Sequence, residues 1–194
     1  MKNTSGFFSG DMVVARAASI MDDRLRLLGL TVCASLGRLL AERDPVPRLV
    51  DQFETLLDKL TNDEGWQVLL VRFEMAILNE LGFGLDLTSC ALTGAKDDLA
   101  WISPKTGRAA SRKAGDKFAD RLLALPQFLA LSPNSSGQAE AEIVLDASTE
   151  DLLKGLKLTG HFLYRHVYGP RSITAPEART TLIASLTKSQ IEMG

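Results

Sequence analysis

Basic side chains gather on and just after a predicted hairpin, and they are the residues of this chain best suited to bind an anion. Between residues 105 and 121, six bases stand against two acids, Asp116 and Asp120. The bases, with the tryptophan that precedes them, are Trp101, Lys105, Arg108, Arg112, Lys113, Lys117 and Arg121. Lys and Arg neutralise phosphates, and aromatic rings stack on bases. The pattern predicts contact with nucleic acid through Trp101, Lys105, Arg108, Arg112, Lys113 and Lys117.

The same pattern has an ordinary structural explanation. A run of charges is commonly a solvated face, and a tryptophan beside a hairpin commonly anchors it to the fold. The formal net charge of -2 at pH 7 does not attract the whole molecule to nucleic acid. Acids gather in 51–80 and 140–151, however, and this uneven distribution is compatible with a positive patch on an otherwise acidic surface. Both interpretations of the basic run stay open at this level.

The cysteine and histidine side chains are too scattered along the chain to predict a zinc site. Structural zinc takes four Cys or His ligands, and the chain has only Cys33, Cys90, His161 and His166. The two histidines are five residues apart, which places them on different faces of an α-helix. We therefore predict no metal and no cofactor. Two cysteines also give no disulfide framework, which is typical of a reducing compartment.

Sequence motifs of catalysis are missing as well. We find no glycine-rich phosphate loop, no G-x-S-x-G elbow, no H-E-x-x-H and no acid-pair motif. Ser103 precedes Pro104 in a predicted turn, where serine is ordinary turn chemistry. The sequence favours a binding protein over an enzyme.

Composition fits a globular protein of about one domain. The chain has 194 residues, of which 45% are hydrophobic and 24% charged. The longest apolar run, 68–81, is interrupted by charges and is shorter than the roughly 20 residues of a membrane helix. The first ten residues contain no long apolar stretch that would indicate a secretory signal. We expect a cytoplasmic protein without a membrane partner.

Hydrophobic periodicity predicts a mainly α protein, an irregular helical bundle with a small inserted β-hairpin. Met21, Leu25, Leu28, Val32, Leu36 and Leu39 recur at helical spacing, and so do Leu49, Phe53, Leu56 and Leu60. A nearly all-apolar helix over 66–81 should be the central member. We expect a short strand-like segment over 1–15, a helical domain over 16–190 with the hairpin insert at about 86–115, and a mobile loop over 131–142. A short helix over 116–125 should follow the hairpin.

Three ordered segments resemble the RecO recombination-repair mediators. The first is Leu78-Asn79-Glu80-Leu81-Gly82-Phe83-Gly84-Leu85-Asp86, followed by Cys90. The second is Ile102-Ser103-Pro104-Lys105-Thr106-Gly107-Arg108, and the third is Leu158-Thr159-Gly160-His161-Phe162-Leu163-Tyr164-Arg165-His166. The likeness runs from about residue 16 to residue 186.

The resemblance implies that an oligonucleotide/oligosaccharide-binding barrel precedes the helical domain. Residues 1–15 leave room for at most its last strand, so the chain is a fragment, begins late or is a short natural form. Some RecO proteins carry a four-cysteine zinc knuckle in the loop that Cys90 occupies. Here Thr93 stands where a second ligand would be, so we expect a degenerate knuckle without zinc.

The resemblance also implies partners. The helical domain of the family docks the acidic C-terminal tail of single-stranded DNA-binding protein, which requires an apolar slot and one or two bases. Candidate residues are Arg72, Arg121 and Arg165, with Phe162 beside the last; for each arginine a buried or surface ion pair is the more ordinary explanation. The implied function is a non-enzymatic mediator that helps load recombinase or anneal strands with a RecR-type partner and single-stranded DNA. The alternative is a helical protein-interaction scaffold without DNA binding.

Overall fold

The computed structural model describes residues 20–40, 46–62, 65–130 and 145–193. The expected strand-like segment over 1–15 and the expected mobile loop over 131–142 lie outside these residues. The described part is mainly helical with a small antiparallel sheet. The predicted fold class is confirmed.

Three helices form the first half of the bundle: α1 is Arg24–Arg38, α2 is Pro47–Asn62 and α3 is Trp66–Glu80. The Asp23 side chain accepts from the backbone N–H of Leu25 at 2.7 Å and so caps the start of α1. Met21 therefore precedes the helix and is 70% exposed, although its spacing placed it on the apolar face. The predicted periodicity holds for the members of the face that lie within α1, of which Val32 and Leu36 are fully buried.

Helix α3 is the central member, as predicted from its composition. It contacts α1, α2 and a later helix, so apolar side chains on nearly all of its faces are buried. Trp66 at its start packs against Gly29 of α1, where an added Cβ would lie 2.5 Å from the indole. α3 ends at Glu80, and Gly82 follows with a φ of +85°, the left-handed conformation that glycine adopts without strain.

The insert is a three-stranded sheet. Strands β1 (Leu99–Ile102), β2 (Ala109–Ser111) and β3 (Leu123–Ala124) lie in the order β2-β1-β3, and both pairings are antiparallel. The hairpin of β1 and β2 was predicted, but the expectation of a short helix over 116–125 was wrong in its second half. The chain instead forms a one-turn helix, α4 (Arg112–Gly115), and a 3₁₀ segment (Asp116–Arg121). It then comes back to the sheet, where β3 pairs with β1.

After a short helix, α5 (Gln127–Ala130), longer helices form the second half of the bundle. α6 (Thr149–Leu163) is capped by the Ser148 hydroxyl and runs directly into a π-helical turn, Tyr164–Tyr168. α7 (Glu177–Met193) then packs against α1 and α6. None of the helices among the described residues is long and apolar enough to cross a membrane.

A buried ion pair joins three of these helices at the centre of the bundle. Glu74 of α3 is 0% exposed, and Arg179 of α7 donates to it from Nε at 2.7 Å and from Nη2 at 3.0 Å. The Thr159 hydroxyl of α6 donates to the same carboxylate. Nη2 of Arg179 also donates to the Leu156 carbonyl at 2.6 Å. Every charge here has partners, as burial requires.

Candidate nucleic-acid interface

The hairpin turn holds its basic residues in a fixed loop. The N–H of Gly107 donates to the Ser103 carbonyl at 2.9 Å, and the N–H of Ser103 donates to the Arg108 carbonyl at 3.0 Å. Gly107 has a φ of +68°, as predicted for the last turn position. Lys105 lies at the exposed tip.

Carboxylates partly neutralise two of the candidate bases. Nε of Arg108 lies 3.5 Å from Asp86, and Nε of Arg112 lies 3.2 Å from Asp98. Hydrogen bonds from Thr88, together with the charge of Arg108, lower the pKa of Asp86, so this carboxylate stays ionised. Both guanidinium groups remain about half exposed, at 51% and 54%, and can still reach a ligand.

The three candidate lysines interact less with other side chains of the protein than the two arginines do. Lys105 and Lys113 are exposed and make no ion pair within the described residues. Nζ of Lys117 lies 5.0 Å from the ring centroid of Phe118, a cation–π contact that leaves its charge at the surface. These lysines can meet phosphates without first breaking a salt bridge.

Trp101 is anchored rather than free. Its Nε1 donates to the Asp116 carboxylate at 2.9 Å. Gly115 packs so closely on its ring that an added Cβ would lie 2.9 Å from Cγ. The side chain of Trp101, which belongs to strand β1, is partly buried where α4 packs on it. This arrangement matches the anchoring role that we considered beside the role of a stacking platform.

Arg165 lies at the hairpin, a juxtaposition that sequence reasoning missed. Its Nη1 donates to the Pro104 carbonyl at 2.6 Å, and Nε2 of His161 lies 3.1 Å from the same oxygen. The end of α6 and the π-helical turn are therefore tied to the residue before Lys105. A seventh cation thus joins the hairpin bases, and only tertiary structure brings it there.

An aromatic stack holds the other side of this junction. His166 stacks on Phe83 with ring centroids 4.7 Å apart, and on Phe162 at 6.1 Å. Burial, with the nearby charges of Arg165 and His161, lowers the pKa of His166. The π-helical turn widens the helical repeat, so residues five apart come closer in register than in an α-helix. His161 and His166 contact different groups, the Pro104 carbonyl and the ring of Phe83.

The remaining candidate residues lie in three different environments. Arg72 on α3 is half-buried, and its Nη2 donates to the Phe128 carbonyl at 2.6 Å, so its partner is a backbone oxygen rather than an acid. Burial lowers the pKa of Arg72. Arg121 is exposed and lies 3.5 Å from Asp120. Phe162 is only 2% exposed and belongs to the core.

Cys90 forms the centre of a small loop. Its side chain is buried, and hydrogen bonds from Thr93, Ser111 and Leu92 outweigh the effect of burial, so that the thiol pKa falls to about 6. In the described residues, no group of three or more His, Cys, Asp or Glu side chains could hold a metal ion. The loop is held by hydrogen bonds.

Comparison with known proteins assigns the chain to a family. The family model for the C-terminal part of recombination protein O matches residues 21–172, which include the hairpin, the π-helical turn and every candidate residue named above. The chain belongs to the RecO family.

Curated RecO relatives agree over nearly the whole chain. DNA repair protein RecO of Rhizobium etli is 46% identical over 184 residues, which are 95% of this chain and 68% of the relative. The RecO proteins of Agrobacterium fabrum and Methylobacterium nodulans are 42% and 44% identical, over 95% and 92% of this chain and 68% and 70% of their own lengths. No solved structure matches the chain.

Proposed function

We propose that this chain acts in recombinational DNA repair as a non-catalytic mediator that contacts single-stranded DNA through the basic hairpin. The observation that carries the proposal is the junction at Pro104, where Arg165 joins a turn that exposes Lys105. Cations from two distant segments thereby meet on one surface. The names of the curated relatives, all DNA repair protein RecO, support the same role.

Contact of this kind is electrostatic and sequence-independent. Lysines neutralise phosphates and release counterions, so affinity should fall steeply with salt. Lys105, Lys113 and Lys117 carry most of this effect, because Arg108 and Arg112 already have carboxylate partners. We expect weak binding that brings the mediator to strands exposed during repair.

A second contact would recruit the mediator to coated strands. The helical domain receives the acidic C-terminal tail of single-stranded DNA-binding protein, as the family resemblance implies. Of the arginines considered for it, Arg121 and Arg165 are exposed, whereas Arg72 is half-buried. With a RecR-type partner, the recruited mediator assists recombinase loading or strand annealing; affinity and geometry, rather than bond chemistry, do the work.

The DNA contact is tested by titrating labelled oligo-dT at low and moderate salt. Replacing Lys105, Lys113 and Lys117 by Ala should weaken binding and reduce the slope of log K against log salt by about 0.7 for each phosphate that is no longer neutralised. The matched control replaces three exposed bases elsewhere, Arg24, Arg38 and Lys188, and removes the same net charge. If both triple variants bind equally well, the hairpin is not the DNA contact.

The alternative is a scaffold that binds only protein. It is favoured by the commitment of Trp101 to Asp116 and by the pairing of Arg108 and Arg112 with carboxylates. It predicts binding of an acidic tail peptide without binding of DNA. The same titration, run in parallel with the peptide, decides between the two.

A further inference from the structure

Two carboxylates lie within the surface of the basic hairpin, and each is attached to one of its arginines. Asp86 pairs with Arg108, and Asp98 pairs with Arg112. The partners in each pair come from different segments of the chain, so only the fold brings them together. The exposed fractions of Asp86 and Asp98, 41% and 55%, are close to those of their arginines. A ligand that approaches this surface therefore meets both signs of charge.

Asp86 is fixed to the residues on either side of Arg108 by its backbone. Its N–H donates to the Gly107 carbonyl at 3.0 Å, and its carbonyl accepts from the N–H of Ala109 at 2.9 Å. The N–H and the hydroxyl of Thr88 donate to Oδ1 of Asp86 at 3.1 Å and 2.6 Å. The other carboxylate oxygen, Oδ2, is left to face Nε of Arg108. These bonds hold the carboxylate beside the guanidinium.

Asp98 holds Arg112 in a similar way. Its carbonyl accepts from the N–H of Arg112 at 2.8 Å, and its Oδ1 accepts from Nε of the same arginine at 3.2 Å. Asp98 has a φ of +48°, a left-handed conformation that Asp adopts more readily than most residues. Both ion pairs of the hairpin are thus supported by hydrogen bonds of the main chain in addition to charge.

These carboxylates compete with phosphate for the same guanidinium groups. An exposed ion pair is weak, so a nucleic-acid strand can displace it. A phosphate that binds Arg108 or Arg112 must nevertheless break the pair first, and it then lies close to the displaced carboxylate. The hydrogen bonds from Thr88 lower the pKa of Asp86, so this competitor stays ionised at neutral pH.

We propose that Asp86 and Asp98 act as internal competitors of the DNA phosphates and keep Arg108 and Arg112 partly blocked. The strand is then held mainly by the lysines of the hairpin and is released readily, which suits a mediator that passes strands on. The inference rests on the DNA contact proposed above and adds an autoinhibitory contact to it. Removing the carboxylates should strengthen binding, whereas a change that merely damaged the hairpin would weaken it.

The test is titration of labelled oligo-dT, at low and moderate salt, with the full chain and with Asp86→Asn combined with Asp98→Asn. Asn keeps the size of the side chain and one acceptor oxygen but carries no charge. Affinity should rise by up to about fivefold for each carboxylate removed. The slope of log K against log salt should steepen by about 0.7 for each arginine that becomes free to neutralise a phosphate.

The matched control removes two acids outside the hairpin. Asp51→Asn combined with Glu54→Gln changes the net charge by the same amount at exposed positions of α2. A rise in affinity that is confined to the hairpin variant supports the proposal. An equal rise in both variants would overturn it, because net charge alone would then explain the effect.

Replacing the arginines identifies the groups that respond. Arg108→Gln combined with Arg112→Gln should weaken binding by the unaltered chain by no more than about twofold, because both arginines are already paired there. The same two substitutions in the chain that carries both Asn residues should abolish the whole gain in affinity. Equal losses in the two backgrounds would contradict the proposed competition.

The remaining outcomes separate this inference from the DNA contact itself. Unchanged or weaker binding by the variant with both Asn residues, when the unaltered chain binds, would overturn the inference and leave the DNA contact in place. The two ion pairs would then have only a structural role. No binding by any variant would overturn the DNA contact and the inference together. Binding that is detectable only after the two Asn substitutions would support the inference, since the carboxylates would then block the surface completely.

Discussion

Glu74 shows at the scale of one residue how the core tolerates a charge. A carboxylate with no exposed surface stays in place because Arg179 and Thr159 saturate it with hydrogen bonds. The sequence shows an acid within an apolar helix, which signals that a partner exists, but the partner lies 105 positions away. No local pattern identifies this partner. The sequence analysis therefore considered an ion pair for Arg72 but none for Glu74.

Breaking this pair should be costly. Arg179→Leu leaves a buried carboxylate without its counter-charge, and we expect the free energy of unfolding to fall by about 3–5 kcal/mol. Urea unfolding followed by circular dichroism measures the change. The double variant Glu74→Leu with Arg179→Leu should recover part of the loss, because it removes the unpaired charge. A single variant that loses less than about 1 kcal/mol would contradict the interpretation.

His166 gives a pH dependence of stability. Its pKa lies below the ordinary imidazole value of about 6.5 because of burial, Arg165 and His161. Below that pH the unfolded chain takes up a proton that the folded chain resists, so stability should fall as pH drops from about 6.5 through the folded-state pKa. Thermal unfolding between pH 7.5 and 5.5 measures the loss. His166→Phe keeps the stack and cannot titrate, so its curve should be flatter; an equal pH dependence in both proteins would contradict the prediction.

The elements divide into those with a local signal and those without one. Helical spacing predicted α1 and α2, and Pro104 with Gly107 predicted the turn of the hairpin. Strand β3 is two residues long and forms only because β1 offers an open edge, so it has no signal of its own. The π-helical turn has none either, because its register depends on packing against Phe83 and Pro104.

Packing of Gly115 on Trp101 fixes the sheet to α4, and this packing can be tested. Gly115→Val would place side-chain atoms within the indole ring, so we expect a loss of about 1–3 kcal/mol in the free energy of unfolding. Tryptophan fluorescence during urea unfolding reports the change. The control is Gly37→Ala in α1, where nothing lies within 4 Å of the added Cβ, and it should stabilise the protein by about 0.5–1 kcal/mol. If Gly115→Val left the free energy of unfolding unchanged, the indole would have to shift freely, which contradicts the prediction.

At the scale of the whole molecule, the folded unit extends beyond the segment that matches the family model. The matched segment stops at residue 172, yet α7 packs on α1 and α6 and supplies the counter-charge of Glu74. The basic hairpin was predictable because its charges are contiguous in sequence. The position of Arg165 at the hairpin was not, because it depends on how distant segments meet.

Truncation after residue 172 tests this view of the whole molecule. Without α7 the carboxylate of Glu74 is left unpaired and the apolar partners of Leu182 and Leu186 are exposed, so we expect the cooperative thermal transition to disappear. Calorimetry measures it. Adding Glu74→Leu to the truncated chain should restore part of the transition. A truncated chain as stable as the full one would show that α7 is an appendage.

The π-helical turn has a consequence for how this protein can change over time. Its extra residue sets the rotation of the side chains within the turn and the direction in which the chain leaves the helix at Gly169. Deleting one residue within 164–168 would leave a regular helix, yet it would turn the side chains between the deletion and the end of that helix by about 100° about the axis. Point substitutions in the turn can be tolerated one at a time, but a change of length there would alter the contacts of Arg165 and His166 together. We therefore expect relatives that share the hairpin junction to differ freely in composition at this turn and to agree in its length.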